Sequence, residues 1–500
     1  MAKRGGREGR LKLRATEGVF DPAPVGSLGG QYRPLTEGDC QSIYDAALQI
    51  LDEIGMGDVP PKLRDQCLAR GARAAGDRIL FPANMVETIV AGSAKEIRLA
   101  GRDPARSITV GGDRVYFGTG GAAVQMLDLD SGLYRPATLN DLYDVTRLID
   151  GLDNISWITR PTVATDIPDN FDLDLNTAYA LLRGTSKPTA MSFFIGDHVA
   201  PICEMLDIAS GFSADPWMFS HISPVISPLK YGEDAFDVAL ACMERGIVTN
   251  CIIAAQSGAT GPAPLAGFLA ASLAETLAAL IMVNVFEPGY PMIFSNWPFV
   301  IDLRTGGFSG SGGETAVMNA AQAQLANWMG LPSGVAACMS DAKVPDAQMG
   351  LENGITGLSA ALSGANMIFE SAGMMASLLG CSLEAFVIGN EMHSLIQRVL
   401  RGIEVNEETL GVEAIRSAVF GDGHFLGGPQ TLASMERDYF YPKLSDRDAP
   451  VVWEEGGAQT MWDRAKTEVQ QRLAQPDPGY VDATTDAAIR GRFKIDLPPA

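Results

Sequence analysis

A chain of 500 residues, 46% hydrophobic and 20% charged, is long enough to bury one large core or two ordinary ones. Its net charge of −22 repels polyanions and excludes nucleic acid as the main partner. Seven cysteines lie far apart with no Cys-X-X-Cys pair, which suggests neither a disulfide framework nor a structural zinc site and fits the reducing cytoplasm.

Residues 1–20 read as a flexible basic arm. Lys3, Arg4, Arg7, Arg10, Lys12 and Arg14 sit among glycines, without the apolar stretch of a secretory signal. A mainly helical N-terminal layer is expected over 21–110. There Thr36-Glu37-Gly38-Asp39 makes a capping-box-like start before Ile43, Tyr44, Ala47, Leu48, Ile50 and Leu51.

From Thr109 the rhythm changes to short apolar runs, each followed by a longer helical pattern. The runs are Val115–Phe117, Ser156–Val163, Thr189–Phe194, Met218–Ser223, Val248–Ala254, Met292–Ser295, Val335–Met339 and Asn366–Phe369. Eight such strands alternating with helices predict an α/β fold, a TIM (β/α)8 barrel over 111–400. A doubly wound sheet is the rival, but no Rossmann glycine pattern favours it. Leu265–Phe286 has the length of a membrane span, yet Glu275, Asn284 and many small residues interrupt it. It reads as a buried helix, and no membrane partner is expected. A helical C-terminal extension is expected over 401–475. A tail follows over 476–500, and the C-terminal part from Gly373 is expected to pack across the barrel, its last residues loose or in a neighbouring subunit.

The end of the seventh strand carries the densest chemistry. Val335–Met339 stops abruptly at Ser340-Asp341-Ala342-Lys343, and Asp346, Gln348 and Glu352 follow. At the carboxyl end of a barrel strand such a cluster can bind a polar substrate or serve acid/base chemistry. It can equally be a solvated loop in which Lys343 pairs with a neighbouring carboxylate. Gly306–Gly313 lacks the lysine of a phosphate loop and reads as a mobile lid. Gly118–Gly121 and Gln256–Gly261, the latter with Ser257, are tight turns at the same face. Phe294, Trp297 and Phe299 gather at the sixth strand, where an indole face can hold a cation. An aromatic wall beside an acidic loop suits a quaternary ammonium group. His221, in the fourth strand, joins the substrate-binding candidates. None of the four histidines shares a short motif with another His or a Cys, so no metal site is expected, and no Gly-X-Ser-X-Gly elbow occurs.

Ser340-Asp341-Ala342-Lys343-Val344-Pro345-Asp346-Ala347-Gln348 resembles the trimethylamine methyltransferase family, the corrinoid-dependent amine methyltransferases. Agreement extends to the block from Leu331, the SGATGPAPLAG block from Ser257, Leu362–Asn366 and Gly423-His424-Phe425-Leu426. The resemblance implies a TIM barrel that moves a methyl group from an amine to the cobalt of a corrinoid. That corrinoid is held by a separate cognate protein and is not bound permanently to this chain. The protein itself is expected to be a homo-oligomer.

Members that demethylate trimethylamine carry pyrrolysine just before this motif. The matching position here is Met339, within about one residue. A quaternary ammonium already carries its charge and leaves as a neutral tertiary amine, so a glycine betaine-like substrate is implied. Two positions depart from the family pattern: Leu351-Glu352, where some relatives place His before Glu, and Gln430-Thr431 in place of His-Thr.

On this reading Asp341, Lys343 and Met339 carry the chemistry. Asp341 stabilises the substrate cation, Lys343 holds a substrate carboxylate or pairs with Asp346, and Met339 lines the pyrrolysine space. Trp297 with Phe294 or Phe299 forms the cation wall. Gln256, Ser257, Gln348, Asp346, Glu352 and His221 complete the substrate surroundings. Two alternatives remain: a demethylase with a folate acceptor and no corrinoid, and a protein that binds methylated amines without turnover.

Overall fold

Eight short, buried strands pair side by side, all parallel, and close into a barrel. They are β1 Tyr116–Gly118, β2 Ile155–Thr159, β3 Thr189–Met191, β4 Met218–Ile222, β5 Thr249–Ile253, β6 Met292–Asn296, β7 Ser333–Ala336 and β8 Met367–Phe369. The last pairs with the first, Met367 opposite Tyr116. Each lies within or overlaps one of the eight apolar runs. This computed structural model describes residues 21–499, so the basic arm expected over 1–20 lies outside the described residues.

Side chains alternate with the period of two that a strand imposes. Ile155, Trp157, Phe219, Ile252, Ile293, Met367 and Phe369 share one cluster inside the barrel. Their neighbours Met218, Cys251, Ile253 and Phe294 join a second cluster against the surrounding helices. Those helices are α1 Leu139–Asp150, α2 Asn170–Gly184, α3 Val199–Ser210, α4 Glu233–Met243, α5 Leu265–Asn284, α6 Gly313–Trp328, α7 Ala347–Leu362 and α8 Leu383–Leu400.

Among the described residues α5 alone is long and apolar enough to cross a membrane, and 83% of its apolar window is buried inside the molecule. Its interrupting Glu275 accepts hydrogen bonds from the Ser227 hydroxyl at 2.6 Å and the Leu229 amide at 2.8 Å. A buried carboxyl satisfied in this way belongs to a protein core.

Before the barrel, helix Glu37–Gln49 starts at the Thr36/Asp39 capping box and packs on α5. Helices Pro61–Ala69 and Ala83–Gly92 follow. Two small antiparallel hairpins, Arg73–Ala75 with Arg78–Leu80 and Ile97–Leu99 with Ile108–Val110, accompany them. Strands of three residues are too short for periodicity to reveal, so the helical expectation passes over them.

After α8 come four short helices between Glu407 and Glu455, none with a buried residue. Helix α9, Met461–Leu473, then packs along α8 and α1. The tail is not loose. Arg183 on α2 donates to the Asp477 carboxylate at 2.7 Å. A last helix, Ala483–Arg490, follows, and Arg490 ties the chain back through the Leu497 carbonyl at 2.7 Å. Val481, Ile489 and Leu497 are buried.

Candidate active site

Past β6 the inward alternation of Ile293 and Ser295 continues to Trp297, which packs across the barrel mouth. Its ring lies 5.2 Å from Phe369, at the end of β8, and 5.4 Å from the imidazole of His221 on β4. His221 lies 5.6 Å from Phe369, and Phe369 makes an edge contact with Trp157 at 5.0 Å. Phe299 and then Phe308 extend the wall, with ring separations of 6.4 and 5.0 Å. Met339 joins the same cluster and is 1% exposed. Rings of this kind present negative faces and polarisable edges, the surroundings that hold an organic cation. The indole nitrogens of Trp157 and Trp297 have no hydrogen-bond partner among the described residues.

A hydrogen-bond chain runs behind His221. Ser295 donates its hydroxyl to Asn250 Oδ1, so the amide nitrogen of Asn250 faces His221 Nδ1 at 3.2 Å as a donor. Burial pushes the His221 pKa down to about 3, and the Arg160 guanidinium beside it acts in the same direction. The imidazole is therefore neutral across the physiological range and does not repel a cation.

The Ser340–Glu352 cluster is largely satisfied by its own groups and by the loops beside it. The Asp341 carboxylate accepts from Ser309 Oγ at 2.8 Å, the Gly310 amide at 3.1 Å, Ser311 Oγ at 3.4 Å and Ser377 Oγ at 2.9 Å. It fastens the glycine-rich loop over Met339, whose sulfur would lie 2.6 Å from any Cβ placed on Gly310. Glu352 accepts from Ser340 Oγ at 2.6 Å, the Asp341 amide at 2.8 Å and Gln348 Nε2 at 2.9 Å. Asp346 caps α7 through the Gln348 and Met349 amides. Lys343 donates to the Asp341 carbonyl at 2.5 Å and makes no ion pair with Asp346.

The remaining candidates divide between two places. Gln256 and Ser257 form a short strand beside Phe299–Ile301, and Ser257 donates to the carbonyls of Pro262 and Ala263, both at 3.3 Å. Phe294 points away from the mouth into the helical layer. It sits one residue out of phase with Ile293 and Ser295, so only Trp297 and Phe299 of the three aromatics reach the box.

Two charged residues absent from the sequence-based set complete the geometry. Glu370 directly follows β8 in a left-handed conformation, φ 59°. Its carboxyl oxygens lie 2.8 Å from where a Cβ would stand on Gly120 and on Gly121, which explains the glycines of that turn. Glu370 Oε2 is buried without a partner among the described residues, and burial pushes its pKa up to about 8. Arg160 directly follows β2, with Nε and Nη1 buried and unpartnered. Each is the first residue past a strand end, a position that a barrel makes worth reading. Trp157, Phe308 and Phe369 were visible only as apolar residues.

The profile of the trimethylamine methyltransferase (MTTB) family matches residues 3–494. A glycine betaine methyltransferase of Desulfitobacterium hafniense (strain Y51) is 29% identical over 472 residues, 93% of this chain and 97% of that one. A trimethylamine methyltransferase MttB of D. hafniense (strain DSM 10664 / DCB-2) is 29% identical over 495 residues, 96% and 97% of the two chains. A trimethylamine methyltransferase MttB of Methanosarcina barkeri (strain Fusaro / DSM 804) is 28% identical over 465 residues, 91% and 93%.

Proposed function

The chain belongs to the trimethylamine methyltransferase family, and from that premise we propose that it demethylates a quaternary or N-methylated amine of the glycine betaine kind. The observation that carries this reading is the aromatic box of Trp297, Phe369, Phe299 and Trp157 around a neutral His221 at the carboxyl end of the barrel. Glu370 supplies the carboxyl at this end of the barrel, and it ionises more readily once a cation is present.

No side chain in the box is suited to accept the methyl group. All seven cysteines are buried, and burial raises each thiol's pKa. Thiols in that state are poor nucleophiles. The family resemblance implies an acceptor from outside: the Co(I) of a corrinoid on a cognate partner protein would supply the electron pair. The methyl carbon leaves nitrogen without the C–N bonding pair, which stays on the amine. A quaternary ammonium thereby departs as a neutral tertiary amine, and no proton is needed on the leaving group. The barrel's task is to orient the methyl toward the mouth and to exclude water beneath the Gly306–Gly313 loop. Met339 is the ordinary side chain at the position matched to pyrrolysine.

We place the protein in the cytoplasm, where its buried, unpaired thiols stay reduced, and we propose that it is a homo-oligomer. The exposed apolar side chains of the extension support that state, with Ile403 at 88%, Phe420 at 84% and Leu426 at 81% exposure. The segment leaves α8 at Leu400, and helices after barrel strands run back toward the amino-terminal end. That end faces away from the mouth a corrinoid protein must reach, so a second copy of the chain is the occupant.

Calorimetry with N-methylated compounds tests the reading. Quaternary ammonium compounds should bind, and Trp297→Ala should weaken them about 30-fold, the loss of one desolvated cation–π contact. Equal affinity in the wild type and the variant would contradict it.

A further inference from the structure

Arg160 is the first residue of the loop after β2, at the mouth of the barrel. Its Nε and Nη1 are sealed from solvent and have no hydrogen-bond partner among the described residues. Another shielded arginine is paired: Arg183 with Asp477 at 2.7 Å. The carboxylate that acts on Arg160, Asp174 on α2, turns its Oδ2 elsewhere. That oxygen meets His198 Nδ1 at 2.7 Å and the Phe194 amide at 2.8 Å, Oδ1 is buried with no hydrogen-bond partner among the described residues, and no ion pair with Arg160 forms. A guanidinium offers five N–H donors in a planar fork matched to an oxyanion. Leaving such a group shielded and unpaired is costly, and a ligand that brings its own anion removes the cost.

Arg160 also shares this end of the barrel with the aromatic box: it stands three residues past Trp157 of β2, and Trp157 meets Phe369, whose ring neighbours His221 and Trp297. Cation wall and anion fork thus stand at the same mouth of the barrel. We propose that Arg160 holds the anionic group of the substrate, so that the site selects a zwitterion with a quaternary ammonium in the aromatic box and a carboxylate on the guanidinium. This rests on the methylated-amine reading and goes beyond it by naming the residue that separates betaines from uncharged or purely cationic amines. Lys343, the other candidate for that carboxylate, is solvent-exposed, where an ion pair contributes less.

The test compares glycine betaine with choline, which keeps the trimethylammonium head and replaces the carboxylate by a hydroxymethyl group. Dissociation constants are measured by calorimetry on the full chain and on Arg160→Gln and Arg160→Lys, with melting temperatures to establish folding. The wild type should prefer glycine betaine by about 30-fold, the scale of one charge-assisted bidentate contact. Arg160→Gln should bring the ratio near one while choline affinity stays within about threefold, and Arg160→Lys should fall between. An unchanged ratio in a folded Arg160→Gln protein overturns the proposal and leaves the methylated-amine reading intact. A wild type that binds choline as tightly as glycine betaine overturns it as well. Failure of both compounds to bind the wild type overturns the broader reading, and this inference with it.

Discussion

At Glu370 a single carboxyl links protonation, stability and ligand binding. Its pKa is pushed up from the usual 4.5 to about 8 by burial. Between those values the folded chain keeps a proton that the unfolded chain has released, so the group's contribution to stability falls as pH rises from about 4.5 to 8. Glu370→Gln should therefore raise the melting temperature relative to the wild type above pH 8, and the difference should shrink toward pH 5. A constant difference across a melting series in that range would refute this account. A bound cation favours the ionised form. Quaternary ammonium affinity should then rise with pH up to about 8 in the wild type and stay flat in Glu370→Gln, as calorimetry at several pH values can check. Asp341 acts differently, since its carboxylate is spent on the 309–311 backbone and hydroxyls. Asp341→Ala should lower kcat/KM about tenfold through a loosened loop and speed hydrogen exchange over residues 306–313. Exchange unchanged there would remove the latch from the account.

The strands and helices of the barrel are legible in the sequence because each strand is buried on both faces and reads as an unbroken apolar run. The β7 junction is equally plain, since an apolar stretch ending in Ser340-Asp341-Ala342-Lys343 has few other readings. What the charges there do is not legible. Satisfaction of Asp341 by Ser309 and Ser377 depends on loops 32 and 36 residues away in sequence. Arg160 and Glu370 are single charges beside apolar strands, and only closure of the barrel sets them at one mouth. The phase of a strand is also hard to read: Phe294 and Trp297 look alike as neighbours in sequence, yet alternation sends one outward and one inward. The turn after β1 makes a prediction at this scale. Gly120→Ala would place a Cβ 2.8 Å from Glu370 Oε1 and 3.1 Å from its amide. A loss of about 1–3 kcal/mol in denaturant unfolding is expected from such crowding, and a neutral result would mean that Glu370 moves freely.

Across the whole molecule the two ends of the barrel have different tasks. The carboxyl end gathers the aromatic box, the fastened loop and two shielded charges. The extension that leaves α8 at the opposite end exposes Ile403, Phe420 and Leu426 on helices with no buried residue of their own. Phe420→Glu combined with Leu426→Glu should shift the protein to a smaller species in light scattering and leave amine binding within about threefold, because the box is built from barrel residues alone. Assembly unchanged by both substitutions would assign that surface to something other than a second copy.

Methyl transfer itself provides the most direct test. The full chain is incubated with glycine betaine and a reduced corrinoid protein, while the Co(I) absorbance and the amine product are followed together. Loss of Co(I) with an equal amount of dimethylglycine is the predicted result, abolished by omission of the chain and strongly reduced in Trp297→Ala. No cobalt methylation with glycine betaine or any other quaternary or N-methylated amine would contradict the account.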